Sequence, residues 1–341
     1  STTRGIIVRS AQAPSDAAVA NSFLRATRQL NGTLTDSEGA PIPNEALAGP
    51  NAGGSYFVDE VNFEKDGVED FEVTDQDGNV LTFFLGDPFP GIPGTGGHTD
   101  HFAVEVVAYL ELSAGEHTFG VSASADRTDV NDDDGYQVFV GANPRDLFAT
   151  KVAEYQRIAQ AFVSNQHIEN RWTVQAPVAG VYPFRIVYWQ TGRAANLQWY
   201  TFAGATEDRL PVNDVFNDPR SIKAYRNTTV ATANAPYVAQ VSPLAGSSGI
   251  DPAEPISILV LDGLTALNPN SVRLSLNGEQ VAATVTRERG LPTIEYAPDP
   301  ARSEGFNQIR LDYAQSPYLA DNRQWQFRLN PRVSHVNPAN G

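Results

Sequence analysis

Apolar and polar residues alternate with a period of two over much of this chain, the repeat of a half-buried β-strand. The alternation predicts strands at Ser55–Phe63, Phe71–Thr74, Val80–Leu85, Phe102–Leu112, His117–Ala123 and Tyr136–Val140. Three more lie at Trp172–Gln175, Val181–Trp189 and Asn196–Phe202. Residues 144 to 170 fit a helix or a strand equally well. One segment has helical spacing instead. Val19, Phe23, Thr27 and Leu30 recur along Ser15–Leu30, with Pro14-Ser15-Asp16 as the start signal and Asn31-Gly32 as the stop.

The second half repeats the strand signal in shorter, more regular pieces. They are Tyr237–Val241, Ile256–Leu261, Val272–Leu276, Val281–Val285, Thr293–Tyr296, Asn307–Leu311 and Gln324–Leu329. Asn277-Gly278 between two of them is a strong hairpin turn signal. The pattern gives an all-β fold class, two β-sandwiches with one N-terminal helix. Residues 1–13 form a strand and linker, and 14–54 a helix and a wrapping loop rich in Gly, Pro, Ala and Asn. The first sandwich spans 55–226, a polar linker 227–235, the second sandwich 236–330 and a tail 331–341. The apolar Arg4–Arg9 is separated from the helical segment by Ala11-Gln-Ala-Pro14. It reads as a strand that joins a sheet elsewhere, with Ile6, Ile7 and Val8 donated to a neighbouring copy or domain.

Composition narrows the partners. The 341 residues carry a net charge of −16, which opposes a nucleic acid or an anionic membrane and favours cations or neutral glycans. The 27 Gly and 23 Pro suit many strands joined by tight turns. With no Cys, disulfides and thiolate chemistry are excluded, and the absence of Met even at position 1 is expected of a processed product or of a piece of a longer polypeptide. No apolar run approaches a membrane span and nothing resembles a signal peptide.

The densest chemistry lies in Asp126–Asp134, five Asp and one Asn in nine residues between two predicted strands. Crowded carboxylates repel unless water or a hard cation separates them, so the run fits a Ca²⁺ loop drawing on Asp129, Asn131, Asp132, Asp133 and Asp134. It also fits a solvated hairpin tip. An EF-hand register from Asp129 fails, because Asp134 stands where Gly is required and Val140 where Glu is required. His98 and His101 flank Asp100 in a Gly-rich stretch, a spacing that suits hydrogen-bonding loop residues better than a metal site. No nucleophile elbow, phosphate loop or singled-out carboxylate pair argues for catalysis. Trp172, Trp189, Trp199, Tyr182 and Tyr188 lie on predicted strands, where aromatic rings serve a core more often than a sugar platform.

Four segments together resemble the PA14 family of β-sandwiches found in adhesins and toxins and as glycosidase inserts. They are Leu110–Ser122, Asp133-Asp134-Gly135-Tyr136 to Gly141, Ala179–Tyr188 and Ala195–Trp199, covering roughly residues 50 to 215. Tyr237–Pro243, Ser271–Gly278 and Trp325-Gln-Phe327 are similar to bacterial immunoglobulin-like modules. The resemblance implies a non-catalytic protein of a bacterial cell surface. Its adjacent aspartates, here Asp133 and Asp134, would bind Ca²⁺ with help from an asparagine, here Asn196, and the ion would meet sugar hydroxyls with Trp189 nearby. Where the family pattern runs Ser-Asp-Asp-Gly, this chain inserts Ala125–Asp132 between Ser124 and the pair. Three functions are compatible with all of this: a structural or adhesive repeat unit that assembles with copies of itself, a Ca²⁺-dependent carbohydrate binder, and an accessory module of a larger secreted enzyme.

Overall fold

The computed structural model describes residues 3–65, 71–74, 80–83, 86–123, 133–156, 168–192, 195–203, 208–229, 232–299, 305–315 and 319–329. Its elements are overwhelmingly antiparallel strands, so the chain is all-β. It divides into two compact units, residues 1–144 with 149–229, and residues 145–148 with 230–341.

In the first unit the chain runs β1 (Ile6–Gln12), α1 (Phe23–Leu30), β2 (Tyr56–Val58), β3 (Asn62–Glu64) and the hairpin β4 (Phe71–Thr74) and β5 (Val80–Phe83). Then come β6 (Phe102–Leu112), β7 (Gly115–Ala123), β8 (Gly135–Val140), β9 (Thr150–Gln156), β10 (Ile168–Ala176), β11 (Gly180–Trp189), β12 (Asn196–Ala203), β13 (Asp208–Pro211) and β14 (Ala224–Tyr225). One sheet has the order β2-β1-β6-β11-β8-β9, and β14 also pairs with β6. The other has the order β10-β7-β12-β13, and β3 also pairs with β12. Side chains of period two from both sheets share one core: Val104, Val106, Ala108, Phe184, Ile186 and Tyr188 from the first, Phe119, Val121, Leu197 and Trp199 from the second.

Two expectations are corrected here. The Arg4–Arg9 segment needs no sheet from another molecule, because β1 lies between β2 and β6 of its own unit. Ile6 and Val8 are fully buried in the core and Ile7 pairs with Phe57 and Val107, so all three residues assigned to assembly are spent internally. The helix begins at Phe23 rather than Ser15. Ser22, extended at φ −157°, caps it by accepting from the Arg25 amide at 3.2 Å, and the Ala20 carbonyl is taken by the Arg25 side chain at 2.9 Å. Val19 therefore lies outside α1. The stop at Asn31-Gly32 is where the sequence places it, with Gly32 at φ +70°.

The second unit comprises β15 (Tyr237–Ser242), β16 (Ser248–Ile250), β17 (Ile256–Leu261), β18 (Arg273–Leu276), β19 (Glu279–Val281), β20 (Thr284–Glu288), β21 (Leu291–Tyr296), β22 (Gly305–Gln315) and β23 (Leu319–Leu329). They form sheets of order β15-β17-β21-β20 and β16-β23-β22-β18-β19. Nine strands appear among the described residues where seven were expected. The predicted strand at Val281–Val285 divides between β19 and β20, and the three-residue β16 runs parallel to β23. Asn277 and Gly278 both have positive φ, +53° and +88°, as a primed hairpin turn demands. Arg145–Phe148 belongs to this unit. The Leu147 amide donates to the Val238 carbonyl at 2.7 Å, and Phe148 lies against Trp325 with ring centroids 5.4 Å apart. The segment thus covers part of the open edge of β15.

Candidate functional site

The predicted acidic site lies where β8 begins. Trp189 of β11 pairs with Gly135 of β8, and continuing that antiparallel register sets Gln190 opposite Asp134 and Thr191 opposite Asp133. Contacts bear this out at Asp133. One carboxylate oxygen accepts from the Thr191 amide at 3.0 Å and from its hydroxyl, and the other accepts from the Gly192 amide at 3.4 Å. The Asp133 carbonyl accepts from Asn21 Nδ2 at 2.5 Å, just ahead of the helix cap. Burial raises the Asp133 pKa, and the two amides and the charge of Arg25 pull it back.

Arg25 stands behind the site on α1 as a buried cation. Its guanidinium donates to the carbonyls of Ala20, Phe102 and Gln190 and to Gln29 Oε1 at 2.7–3.1 Å. Burial pushes its pKa down to about 10, opposed by Asp133, so it stays charged at neutral pH. The helix therefore fixes the 190–192 turn, and the turn fixes Asp133.

Asp134 is completely buried. Asn196 opens β12, and its neighbour Leu197 pairs with Ala123 at the end of β7. At this rim the end of β7 lies beside the start of β12, and the end of β11 beside the start of β8. Asn196 is 6% exposed, and its Oδ1 has no hydrogen-bond donor among the described residues. Gln190 Oε1 and Asn21 Oδ1 are buried without a donor in the same way. Buried acceptors lacking donors are costly unless something electropositive meets them. The rim is rich in oxygen and holds carboxylates, a set suited to a hard cation. Among the described residues no three acidic, His or Cys side chains converge as a ready-made cage. Asp129, Asn131 and Asp132 lie outside the described residues.

The remaining predicted residues fall elsewhere. Trp189 is 1% exposed beneath α1, with Phe23 and Phe139 rings at its sides, so no sugar reaches its face. Trp172 and Trp199 lie in the core, and so does Tyr188. His98 Nε2 meets Glu45 at 3.1 Å and His101 Nδ1 meets the Pro14 carbonyl at 3.0 Å. Together with Gln12, which bonds the carbonyls of His98 and Asp100 and the amide of Gly94 at 2.8–3.0 Å, they fasten the 90–101 loop. Sequence reasoning missed Asn21, Arg25, Gln190 and Thr191. Only the run Gln190–Asn196, a break between two strongly patterned strands, hinted at the last two.

No family model matches the chain, and no curated protein matches it. Solved structures do. The PA14 sugar-binding domain from an RTX adhesin aligns at 17% identity and TM-score 0.31, over 61% of this chain and 94% of that one. The PA14 domain of the MpAFP antifreeze protein aligns at 14% and 0.34, over 62% and 88%. The Epithelial Adhesin 9 A domain from Candida glabrata, in complex with Galb1-4GlcNAc, aligns at 11% and 0.36, over 61% and 86%. Likenesses of this size carry no weight for ligand or activity.

Proposed function

We propose that this protein is a non-catalytic adhesive module of the cell exterior, and that its first unit binds Ca²⁺ at the β8 rim and through the ion holds a carbohydrate. The observation that carries the reading is the buried Asn196 Oδ1 at the start of β12, which has no donor among the described residues, together with Asp133 and Asp134 at the start of β8. Asp134 and Asn196 would hold the ion, with Asp133 sharing a carboxylate already engaged by the 190–192 turn. The residues 124–132 between β7 and β8 would supply further oxygens, Asp129, Asn131 and Asp132 among them. When bound, the ion offsets the repulsion of neighbouring carboxylates and offers open positions to sugar hydroxyls. The chain's own part is to preset the oxygens: α1 through Arg25 fixes the turn, and the turn fixes Asp133. The same module fits a repeat unit of a large surface protein, with the second unit as a spacer of immunoglobulin-like type.

Isothermal titration of the full chain with CaCl₂ tests this. Saturable uptake is expected, lost in Asp134→Asn and weakened in Asn196→Ala, with both variants melting like the parent in chelator. No uptake by the parent, or equal uptake by both variants, refutes the reading.

A further inference from the structure

Gln190 directly follows β11, on the side of the rim to which Asp134 turns. Side chains alternate along β11 and β8. Tyr188 and Tyr136 face the core, while Trp189 and a side chain built on Gly135 face α1. The next pair, Gln190 and Asp134, therefore turns back toward the core side, and both residues are wholly buried. Residues directly opposite in an antiparallel pair hold their Cβ atoms about 4.5–5.5 Å apart. At that spacing a glutamine amide and a carboxylate can share one ion.

The Gln190 amide has one setting. Nε2 donates to the Thr99 carbonyl at 2.8 Å, and turning the group over would set two oxygens against each other. The main-chain N–H donates to the Phe102 carbonyl at 3.2 Å, and the main-chain carbonyl accepts from Arg25 at 2.9 Å. Only Oε1 is left, buried and with no donor. A buried acceptor in that state is costly until something electropositive meets it. Arg25 does not meet it, since its nitrogens end on the Ala20, Phe102 and Gln190 carbonyls and on Gln29 Oε1. Asn21 Oδ1 also lacks a donor, but Asn21 is only half-buried and its amide is tied to Asp133 rather than Asp134. A hard cation takes neutral amide oxygens beside carboxylates, and such a ligand adds no charge to a crowded acidic rim.

We propose that Gln190 Oε1 is a ligand of the ion at the β8 rim, shared with Asp134; this rests on the Ca²⁺ reading above. The same amide holds Thr99 through its nitrogen, so a test must separate the oxygen from the nitrogen. Two variants of the full chain do so, titrated calorimetrically with CaCl₂ and melted with and without Ca²⁺. Gln190→Met removes both polar atoms at similar volume and should weaken Ca²⁺ binding about tenfold or more. Gln190→Glu also gives up the amide donor to Thr99 but keeps an oxygen, and should bind Ca²⁺ at least as tightly as the parent. In chelator its added charge beside Asp134 lowers the melting temperature, and saturating Ca²⁺ raises it by more than in the parent. If Gln190 serves only to hold Thr99, both variants lose stability equally with and without the ion. Parent uptake that Gln190→Met leaves within twofold overturns the proposal and leaves the Ca²⁺ reading standing. So does a Gln190→Glu protein that binds as weakly as Gln190→Met. Should Gln190→Met not fold, Gln190→Glu decides alone, and a Ca²⁺-induced melting shift no larger than the parent's overturns the proposal. A parent that takes up no Ca²⁺ overturns both readings.

Discussion

Replacing Gly135 with alanine tests how the site is held, because that residue lies between Asp134 and the core. Its φ is not left-handed, so the backbone itself tolerates a side chain. The obstacle is Trp189. A Cβ on residue 135 would lie 2.4 Å from Cε2, 2.5 Å from Cζ2 and 2.6 Å from Nε1 of that indole, where carbon contacts of about 3.5–4 Å are normal. The ring must retreat by about 1 Å, and it has nowhere to go. Phe23 stands 5.9 Å from it centre to centre, and Ala26, Leu30 and Phe139 close the same cluster. Overpacking of this kind costs about 1–3 kcal/mol. In a unit of this size that lowers the melting temperature by about 2–4 °C per kcal/mol, hence by roughly 6 °C for a loss near 2 kcal/mol. Trp189→Phe, destabilising alone through the cavity it leaves, should relieve the clash. The double variant is then more stable than the sum of the singles by about 1 kcal/mol. Thermal melts followed by tryptophan fluorescence measure all three variants. A Gly135→Ala protein melting within a degree of the parent, or a cycle with no coupling, would show that the indole does not buttress the start of β8.

Two further substitutions probe other parts of the molecule. Asp146→Ala should destabilise the second unit by about 2 kcal/mol, because it takes from Arg323, bound at 3.1 Å, the more buried of its two carboxylate partners, and removes the acceptor of the Val238 and Phe148 amides at 3.2 and 2.9 Å; unchanged urea unfolding monitored at Trp325 would refute this. Glu60 is half-buried, and burial together with the charges of Asp214, Asp87 and Asp59 raises its pKa, so its ionisation opposes folding as pH rises above the ordinary carboxylate range. Glu60→Gln should therefore raise the melting temperature at pH 7 and make no difference near pH 3, where Glu60 is protonated in both folded and unfolded chains; an equal gain at both pH values would contradict the assignment.

What the sequence revealed was local. Strands β6, β7, β11 and β12 announced themselves by alternation, and Asn277-Gly278 announced its turn. The destination of Arg4–Arg9 was not readable, because β6, its main partner, lies some 95 residues away and nothing in a six-residue segment encodes which sheet it enters. The helix start was misplaced because Ser15 and Ser22 are equally good caps by type. The choice was made by tertiary bonds from Arg25 to Phe102 and Gln190. Asp146 falls in the stretch that fits a helix or a strand equally well, inside the bounds expected for the first sandwich. Its burial in the second unit appears only when Val238 and Arg323 are brought to it.

The acidic turn shows why residue type alone did not divide the labour within it. Asp133 and Asp134 are adjacent and chemically identical, yet in a strand-like backbone they point to opposite sides. Asp133 turns toward the 190–192 segment and satisfies its amides, so its negative charge maintains the rim. Asp134 turns into the protein, where it is wholly buried. If the rim binds Ca²⁺, the two substitutions must therefore behave differently. Asp133→Asn keeps the shape and an oxygen but removes the negative charge that the Thr191 and Gly192 amides and Arg25 meet, and should weaken the ion and lower stability together. Asp134→Asn should abolish uptake of the ion and leave the 190–192 turn in place. Identical losses from both, in uptake and in melting temperature, would mean that the pair acts as a single patch of charge and that the turn has no separate supporting role.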